Sequence, residues 1–222
     1  MNKLPKLAGA SAIVEALIYI VAFVYFGAFW AFPSSGTPME KMTYLAEHQV
    51  AFSMIYFLMY VVFGVFLSVL VLGLYHQLKS THRLLVQLGS VFGFIWVVLV
   101  IASGMLANVG LAHAIEVMDS SVEKAFDMWT IISVIIESLG GGNELVGGLW
   151  VLFVSLASLK SDAFPNGLSL LGITVGSVGV ATVYPAEVLT EIFGVTQIIW
   201  FAWLGGSLLS QSVETESLAV ER

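Results

Sequence analysis

The stretch VAFSMIYFLMYVVFGVFLSVLVLGL, which runs from Val50 to Leu74, decides the fold class of this chain. It contains neither a charged residue nor a proline. It is also longer than the ~20 residues that an α-helix needs to cross the ~30 Å hydrocarbon core of a membrane. An uncharged run of this length is typical of a transmembrane helix. We therefore predict that Val50–Leu74 spans a lipid bilayer.

Other apolar stretches of similar character lie before and after this one. All five prolines lie outside these stretches or next to their ends, where residues that break helices belong. The sequence thus predicts an all-α integral membrane bundle of about six transmembrane helices. The remaining stretches are Leu7–Phe32, Leu84–Leu106, Met128–Phe153, Leu168–Tyr184 and Val188–Leu209.

The composition supports a single membrane domain with little soluble mass. Hydrophobic residues make up 59% of the 222 residues and charged residues only 10%, whereas a soluble domain is about 25% charged. We predict one transmembrane domain over residues 1–209. The polar segment 210–222 is predicted to be a disordered cytoplasmic tail.

Charge and cysteine content exclude several classes of function. The formal net charge of −7 leaves no basic surface for phosphates, so we expect no nucleic-acid partner. The chain contains no cysteine. Disulfides, thiolate metal sites and thiol nucleophiles are therefore excluded.

The positions of the basic residues predict how the bundle is oriented. Cytoplasmic loops of membrane proteins carry an excess of Lys and Arg. With both chain ends inside the cell, only Lys41 and Lys124 lie on the outer side. We predict a multi-pass protein of the cell inner (plasma) membrane with N-in, C-in topology. The basic residues then on the cytoplasmic side are Lys3, Lys6, Lys79, Arg83, Lys160 and Arg222.

Three acidic residues within the predicted spans are candidates for function. Glu15 lies in the first span, and Glu137 and Glu144 lie two helical turns apart on the fourth, so a continuous helix would place both on one face. An ionised carboxylate at this depth costs at least a few kcal/mol. We therefore predict that these acids are protonated, hydrogen-bonded to one another or to Tyr19 and Asn143, or placed in a water-filled cavity. The set forms a candidate ligand or proton site, or alternatively protonated carboxyls that join neighbouring helices.

The fourth span also contains three consecutive glycines, Gly140–Gly142, between the two acids. Each weakens a helix by about 1 kcal/mol relative to alanine. Broken helices frame the substrate sites of many transporters. The sequence leaves open whether this helix breaks here or stays straight with its glycines in close packing.

A second group of polar residues is expected near the outer face. Its spacing matches no metal-binding motif, so we predict solvated interface residues and no metal site. No cofactor is predicted either, because no histidine lies in mid-span to ligate haem and no lysine lies there to hold retinal. The outer-face candidates are His48, His113, Asp127, Glu187 and Glu191.

Small residues on the fifth predicted span indicate close helix packing. Gly172 and Gly176 form a small-xxx-small pattern that Ser177 and Gly179 extend. We expect packing within the bundle rather than a dimer face, although a homodimer or a larger membrane complex stays open. The six tryptophans are expected at the membrane interfaces or in helix packing.

The last third of the chain resembles a known family. The segments GGLWVLFVSLASLKSDAFPNGLSLLGITVGSVGV, from Gly147, and EVLTEIFGVTQIIWFAWLGGSLL, from Glu187, carry the resemblance. They are similar to the closing part of small multispanning bacterial proteins described as a domain of unknown function (the forty-three-eighty-six series). The resemblance implies a six-helix membrane fold and nothing about catalysis.

Three classes of function follow from these features. The first is a ligand- or lipid-binding, sensory or accessory membrane protein with an intramembrane carboxylate cluster and membrane lipids as partners. The second is a small proton- or cation-coupled transporter. The third is a membrane-embedded enzyme that acts on a lipid or isoprenoid with a carboxyl pair as acid and base.

Overall fold

The computed structural model describes residues 3–141, 144–161 and 163–220, and within these ranges the chain is helical without a β-strand. Apolar residues dominate the helices, and prolines stand only at helix starts or between helices. The α-helices are α1 (Leu4–Val24), α2 (Pro38–Glu47), α3 (Gln49–Tyr56), α4 (Phe63–Leu78), α5 (Arg83–Met118), α6 (Val122–Ile136), α7 (Leu145–Leu159), α8 (Asn166–Ala181) and α9 (Glu187–Val220).

Five helical segments of the described chain are long and apolar enough to cross a membrane. The predicted all-α membrane bundle is therefore confirmed, and the chain is a multi-pass membrane protein. The predicted fifth span corresponds to α8, which has only 16 residues and is about 24 Å long at 1.5 Å per residue. Helix α8 packs in the bundle with the five longer segments but is shorter than each of them. The five long segments are Leu4–Phe29, Gln49–Leu78, Arg83–Met118, Val122–Leu159 and Glu187–Ser212.

The bundle has two distinct ends. One end holds the start of α1 and the later part of α9. There Gln77 donates from Nε2 to Oε1 of Gln211 (3.1 Å), and Gln211 donates to the Ala163 carbonyl (2.7 Å). At the α2 end, the Ala31 N–H donates to the Tyr44 hydroxyl at 3.0 Å. The start of α1 packs beside the later part of α9, since a Cβ built on Gly9 would lie 3.1 Å from the Gly205 carbonyl oxygen. These contacts place both ends of the described chain together, as N-in, C-in topology requires. Which side is cytoplasmic stays a prediction.

Helices α7 and α8 meet through what we call the glycine interface, formed by Gly148, Gly172, Gly176 and Gly179. A Cβ on Gly176 would lie 2.6 Å from the Leu152 backbone nitrogen, a distance that real Cβ atoms do not reach. The predicted packing of these glycines within the bundle is confirmed. Ser177 does not belong to the interface, because its exposed side chain donates to the carbonyl of Ile173 on its own helix.

Regular α-helix is interrupted at three places towards the α2 end. The segments Tyr25–Phe29 and Phe57–Val62 have π-helical hydrogen bonding, which is rare and recurs at functional sites. The third interruption is a kink within Glu137–Gly141. In the third, Gly140 has a φ of 154°, a conformation that favours glycine, and α7 begins only at Leu145. The fourth predicted span is therefore broken at Gly140.

Helix α9 is described as far as Val220. The predicted disorder of residues 210–222 stays a prediction. No proline or glycine occurs after Gly206, so nothing in the local sequence ends the helix there. The location of this segment in the cytoplasm stays a prediction.

Candidate ligand-binding cavity

A cavity of about 230 Å³ lies among α1, the Phe57–Val62 segment, α5, the start of α7 and the start of α9. We call it the Glu144 cavity. All three interrupted segments border this cavity or a second cavity described below. The interruptions of regular α-helix therefore shape this region. Its wall is mainly apolar and aromatic. The aromatic residues in the wall are Tyr19, Phe23, Phe26, Tyr60, Phe63, Trp96 and Phe193.

Two buried polar side chains in this wall lack a hydrogen-bond partner among the described residues. One is the Oε2 atom of Glu144, whose residue is 8% exposed, and the other is the indole Nε1 of Trp96, whose residue is 2% exposed. Buried polar groups are nearly always paired, and each unpaired group costs about 1–3 kcal/mol. Both residues line the cavity, so its wall contains polar side chains whose hydrogen-bonding capacity is not fully used among the described residues.

The backbone around Glu144 is fixed by the break in the fourth span. Its N–H donates to the Thr182 hydroxyl at 2.8 Å, and that hydroxyl donates to the Gly179 carbonyl at 2.7 Å. Glu144 immediately precedes α7. The positive end of the α7 helix dipole therefore faces the region that its carboxyl group occupies.

Glu15 and Tyr19 lie one turn apart on α1 beside this cavity. Glu15 is fully buried, and both of its carboxyl oxygens lack a partner among the described residues. Tyr19 lines the cavity and lies within electrostatic range of both Glu15 and Glu144. Three of the five predicted site residues therefore come together here.

Rings from four helices, α1, α4, α5 and α7, pack against one another at the cavity. Phe63 packs edge-on against Tyr19, with ring centroids 5.6 Å apart, and against Trp96 at 5.5 Å. Trp150 in turn lies 5.7 Å from Trp96. Such edge-to-face pairs add about 0.5–1.5 kcal/mol beyond the burial of their area, so these rings form a rigid wall.

A second cavity of about 320 Å³ adjoins the first, and we call it the Glu137 cavity. The two share Phe26 and Tyr60 in their walls. Tyr60 also lies within electrostatic range of both Glu137 and Glu144. The Tyr60 hydroxyl thus feels the charge of both acids.

Glu137 does not join the Glu144 cavity, which corrects the predicted common face. Its side chain is exposed and borders the second cavity, whereas Glu144 is buried in the first. The prediction assumed a continuous helix, and the break at Gly140 separates the two faces. Asn143, the remaining predicted member of the site, lies outside the described residues.

The outer-face candidates are exposed and do not line either cavity. His48 stacks on Tyr44 with ring centroids 4.1 Å apart, and His113 pairs with Glu116 at 3.2 Å. Asp127, Glu187 and Glu191 are exposed. Within the described residues, no group of three or more His, Asp and Glu is placed to hold a metal ion.

Sequence reasoning missed several residues of the site. Trp96 is predicted to lie in an interfacial belt or in packing, but it lines the cavity, and its buried indole N–H has no partner among the described residues. Tyr60 and Thr182 gave no distinguishing pattern, because aromatic and hydroxyl residues are common in spans. Gln197 on α9, an amide inside an apolar run, is also fully buried, but it does not line either cavity.

No protein-family model, curated protein or solved structure matches the chain. The resemblance of its last third to the multispanning family therefore stays a prediction. What the chain does must be inferred from the cavity itself.

Proposed function

We propose that this membrane protein binds a small amphiphilic molecule in the Glu144 cavity. The observation that carries the proposal is an aromatic cavity with a buried carboxyl oxygen of Glu144 and the indole N–H of Trp96 unpartnered among the described residues. Small-molecule sites in proteins share this composition of mostly apolar walls and a few oriented polar groups.

The volume of the cavity limits the size of the ligand. Typical ligand pockets enclose about 300–1,000 Å³, and the Glu144 cavity encloses about 230 Å³. It suits a small molecule, or the head of a longer one whose remainder passes Tyr60 into the Glu137 cavity. A membrane lipid or another amphiphile of the bilayer meets the second description.

The proposal can be tested by filling the cavity. Ala22 is a buried residue of the wall, and its neighbour Val21 is 45% exposed on the outside of the same helix. We expect Ala22→Phe to occupy the space of the ligand, whereas Val21→Phe adds the same side chain on the lipid-facing side. The full-length variants would be placed in phosphatidylcholine nanodiscs and titrated with naphthalenemethanol, a neutral two-ring alcohol. Empty nanodiscs give the background.

Saturable binding to the wild type and Val21→Phe, with a loss of about tenfold or more in Ala22→Phe, is the expected result. Equal binding by all three proteins, or no binding above that of empty nanodiscs, would contradict the proposal. Circular dichroism and gel filtration of each variant would show that the fold is retained.

A small proton-coupled transporter is the second candidate. It is favoured by the broken fourth span, which places Glu144 at the start of a half-helix, as in many transporters. In proteoliposomes with a trapped pH-sensitive dye, a transporter would show protein-dependent proton flux after a pH jump. The flux should be absent in Glu144→Gln. A flux that persists in this variant would exclude the residue as the relay.

Placement in the cell inner (plasma) membrane is also proposed here. It is supported by the excess of basic residues in the predicted inner loops and by the resemblance to bacterial proteins. Fractionation of bacterial membranes after expression at low level would test it. Recovery in the outer membrane would contradict it.

A further inference from the structure

The ionisable groups that line the Glu144 cavity and its neighbour can carry only negative charge. Among the described residues that line either cavity, the ionisable ones are glutamate and tyrosine, with no Lys, Arg or His. Glu15, fully buried beside Tyr19, adds a second carboxyl group with two unpartnered oxygens among the described residues. An ionised carboxylate only accepts hydrogen bonds. The cavity therefore offers acceptors and negative charge to whatever occupies it.

The rings of the wall add to the same preference. Aromatic faces carry negative potential and attract a cation that lies within about 6 Å of the ring centre. Tyr19, Phe63 and Trp96 form a chain of edge-on pairs in the wall, and Tyr60 lines the cavity beside them. A carboxylate combined with several aromatic faces suits a compact positively charged group.

Because Glu144 is buried, the charge of a ligand's head group affects how well the ligand fits the cavity. An anion would add negative charge beside Glu144 and Glu15, with no basic side chain in the described walls to compensate. With a neutral head, Glu144 would have no counter-charge and would have to stay protonated, because an ionised carboxylate buried without one costs several kcal/mol. A cationic head supplies this counter-charge and donates hydrogen bonds to the carboxyl group of Glu144.

The start of α9, beside the cavity, has the same sign of charge. Thr190 and Gly194, on the first turns of α9, line the cavity. Glu187 and Glu191 are exposed at the start of the same helix. Acidic groups near an opening raise the local concentration of cations.

From these observations, and resting on the proposed ligand-binding function, we infer that the ligand of the Glu144 cavity is a lipophilic amine whose protonated head pairs with Glu144 against the faces of Tyr60, Phe63 and Trp96. Its apolar part fills the remainder of the aromatic cavity.

Three probes of one size and different head charge test this inference. Naphthylmethylamine is cationic at neutral pH, naphthalenemethanol is neutral, and naphthoate is anionic. Each would be titrated into the full-length protein in phosphatidylcholine nanodiscs, with empty nanodiscs subtracted. We expect the wild type to bind the amine about tenfold or more tightly than the alcohol, as a charge-assisted pair with cation–π contacts implies. The carboxylate should bind most weakly.

The variant Glu144→Gln keeps the shape of the side chain and removes its charge, and Glu47→Gln removes an exposed acid outside the cavity walls. We expect the tenfold preference for the amine to fall to about one in Glu144→Gln and to persist in Glu47→Gln. No preference in the wild type, or an unchanged preference in Glu144→Gln, would overturn the inference. The neutral alcohol distinguishes failure of this inference from failure of the proposed binding function. Its binding, and the loss of that binding in Ala22→Phe, do not depend on the charge of the head group.

Discussion

The glycine interface and the Glu144 cavity lie on either side of Glu144 and are built on opposite principles. At the interface, Gly148 and Gly176 bring two backbones so close that an added Cβ would lie 2.6 Å from a backbone nitrogen. At the cavity, large aromatic side chains keep the helices apart and leave about 230 Å³ between them.

The difference shows how a small bundle combines rigidity with an interior space. In lipid, apolar burial gives little drive for helices to associate, so close packing of small residues supplies much of the attraction. Here that packing anchors α7 to α8, and the Thr182 hydroxyl on α8 then fixes the backbone of Glu144. The glycine interface thus helps to position Glu144 at the wall of the Glu144 cavity.

The largest expected effect is at the glycine interface. Gly176→Ala places a Cβ 2.6 Å from the Leu152 nitrogen and 2.7 Å from the Gly148 carbonyl oxygen, both backbone atoms that cannot turn aside. We expect a loss of about 3 kcal/mol in the free energy of unfolding, measured by denaturation with sodium dodecyl sulfate. The control is Gly206→Ala, where a Cβ meets nothing within 4 Å. Equal stability of both variants would refute the tight packing.

The next effect concerns the break before Glu144. At Gly140 an added Cβ has room, since its nearest neighbour would be 3.6 Å away, but the φ of 154° is strained for any other residue. Gly140→Ala should therefore cost about 2 kcal/mol through backbone strain alone. Gly27→Ala, which has open space and no positive φ, should cost far less. The same denaturation assay compares them, and a neutral Gly140→Ala would argue for a continuous helix.

A smaller effect is expected where the two regions join. Thr182→Val removes the hydroxyl that accepts from the Glu144 N–H, and an unpaired buried N–H costs about 1–2 kcal/mol. Thr182→Ser retains the hydroxyl and should stay within about 0.5 kcal/mol of the wild type. Hydrogen exchange at the Glu144 amide measures the bond directly. Exchange that is as slow in Thr182→Val as in the wild type would show that Thr182 is not the partner.

The smallest effect lies outside both regions, at the start of α2. The Thr37 N–H donates to Oε2 of Glu40 at 2.7 Å, and the Thr37 hydroxyl donates to the same oxygen at 3.0 Å, so both bonds hold the pKa of Glu40 below its ordinary value. Because the folded pKa is lowered, this cap stabilises α2 above the ordinary pKa. The stabilisation is lost as the pH falls through the lowered value.

Thr37→Ala removes the hydroxyl and keeps the backbone bond. We expect the pKa of Glu40 to rise part of the way towards its ordinary value and the α2 amides to exchange faster, as observed by NMR. Thr37→Ser should behave as the wild type does. A pKa of Glu40 that does not move in Thr37→Ala would assign the shift to the backbone bond alone.

The sequence predicts the membrane bundle because long uncharged runs can satisfy their backbone only as helices in lipid. It places the helix ends less well: the run Leu84–Leu106 becomes Arg83–Met118. Polar residues such as His113 continue the helix beyond the apolar stretch, where hydropathy no longer marks it. Glu15 and Glu144 could be predicted as site candidates because ionisable side chains are rare and costly in spans. The predicted hydrogen bond to Tyr19 is not made by Glu15, whose two carboxyl oxygens lack a partner among the described residues.

The cavity itself could not be predicted from the sequence. It depends on the π-helical turns at Tyr25–Phe29 and Phe57–Val62, which have no distinctive sequence pattern. Trp96 and Tyr60 look like ordinary packing residues until the helices around them are placed. The separation of Glu137 from Glu144 depends on a single glycine conformation, which spacing along the chain does not reveal.

The most direct measurement is a crystal structure of the full-length protein soaked with bromonaphthalenemethanol, in which anomalous scattering locates the bromine atom. Binding in the Glu144 cavity predicts one strong bromine peak among Tyr60, Phe63 and Phe193, with the hydroxyl group directed at Glu144. The peak should be lost in crystals of Ala22→Phe and kept in those of Val21→Phe. Bromine found only on the lipid-facing surface, or a peak that Ala22→Phe leaves unchanged, would contradict a ligand site in this cavity.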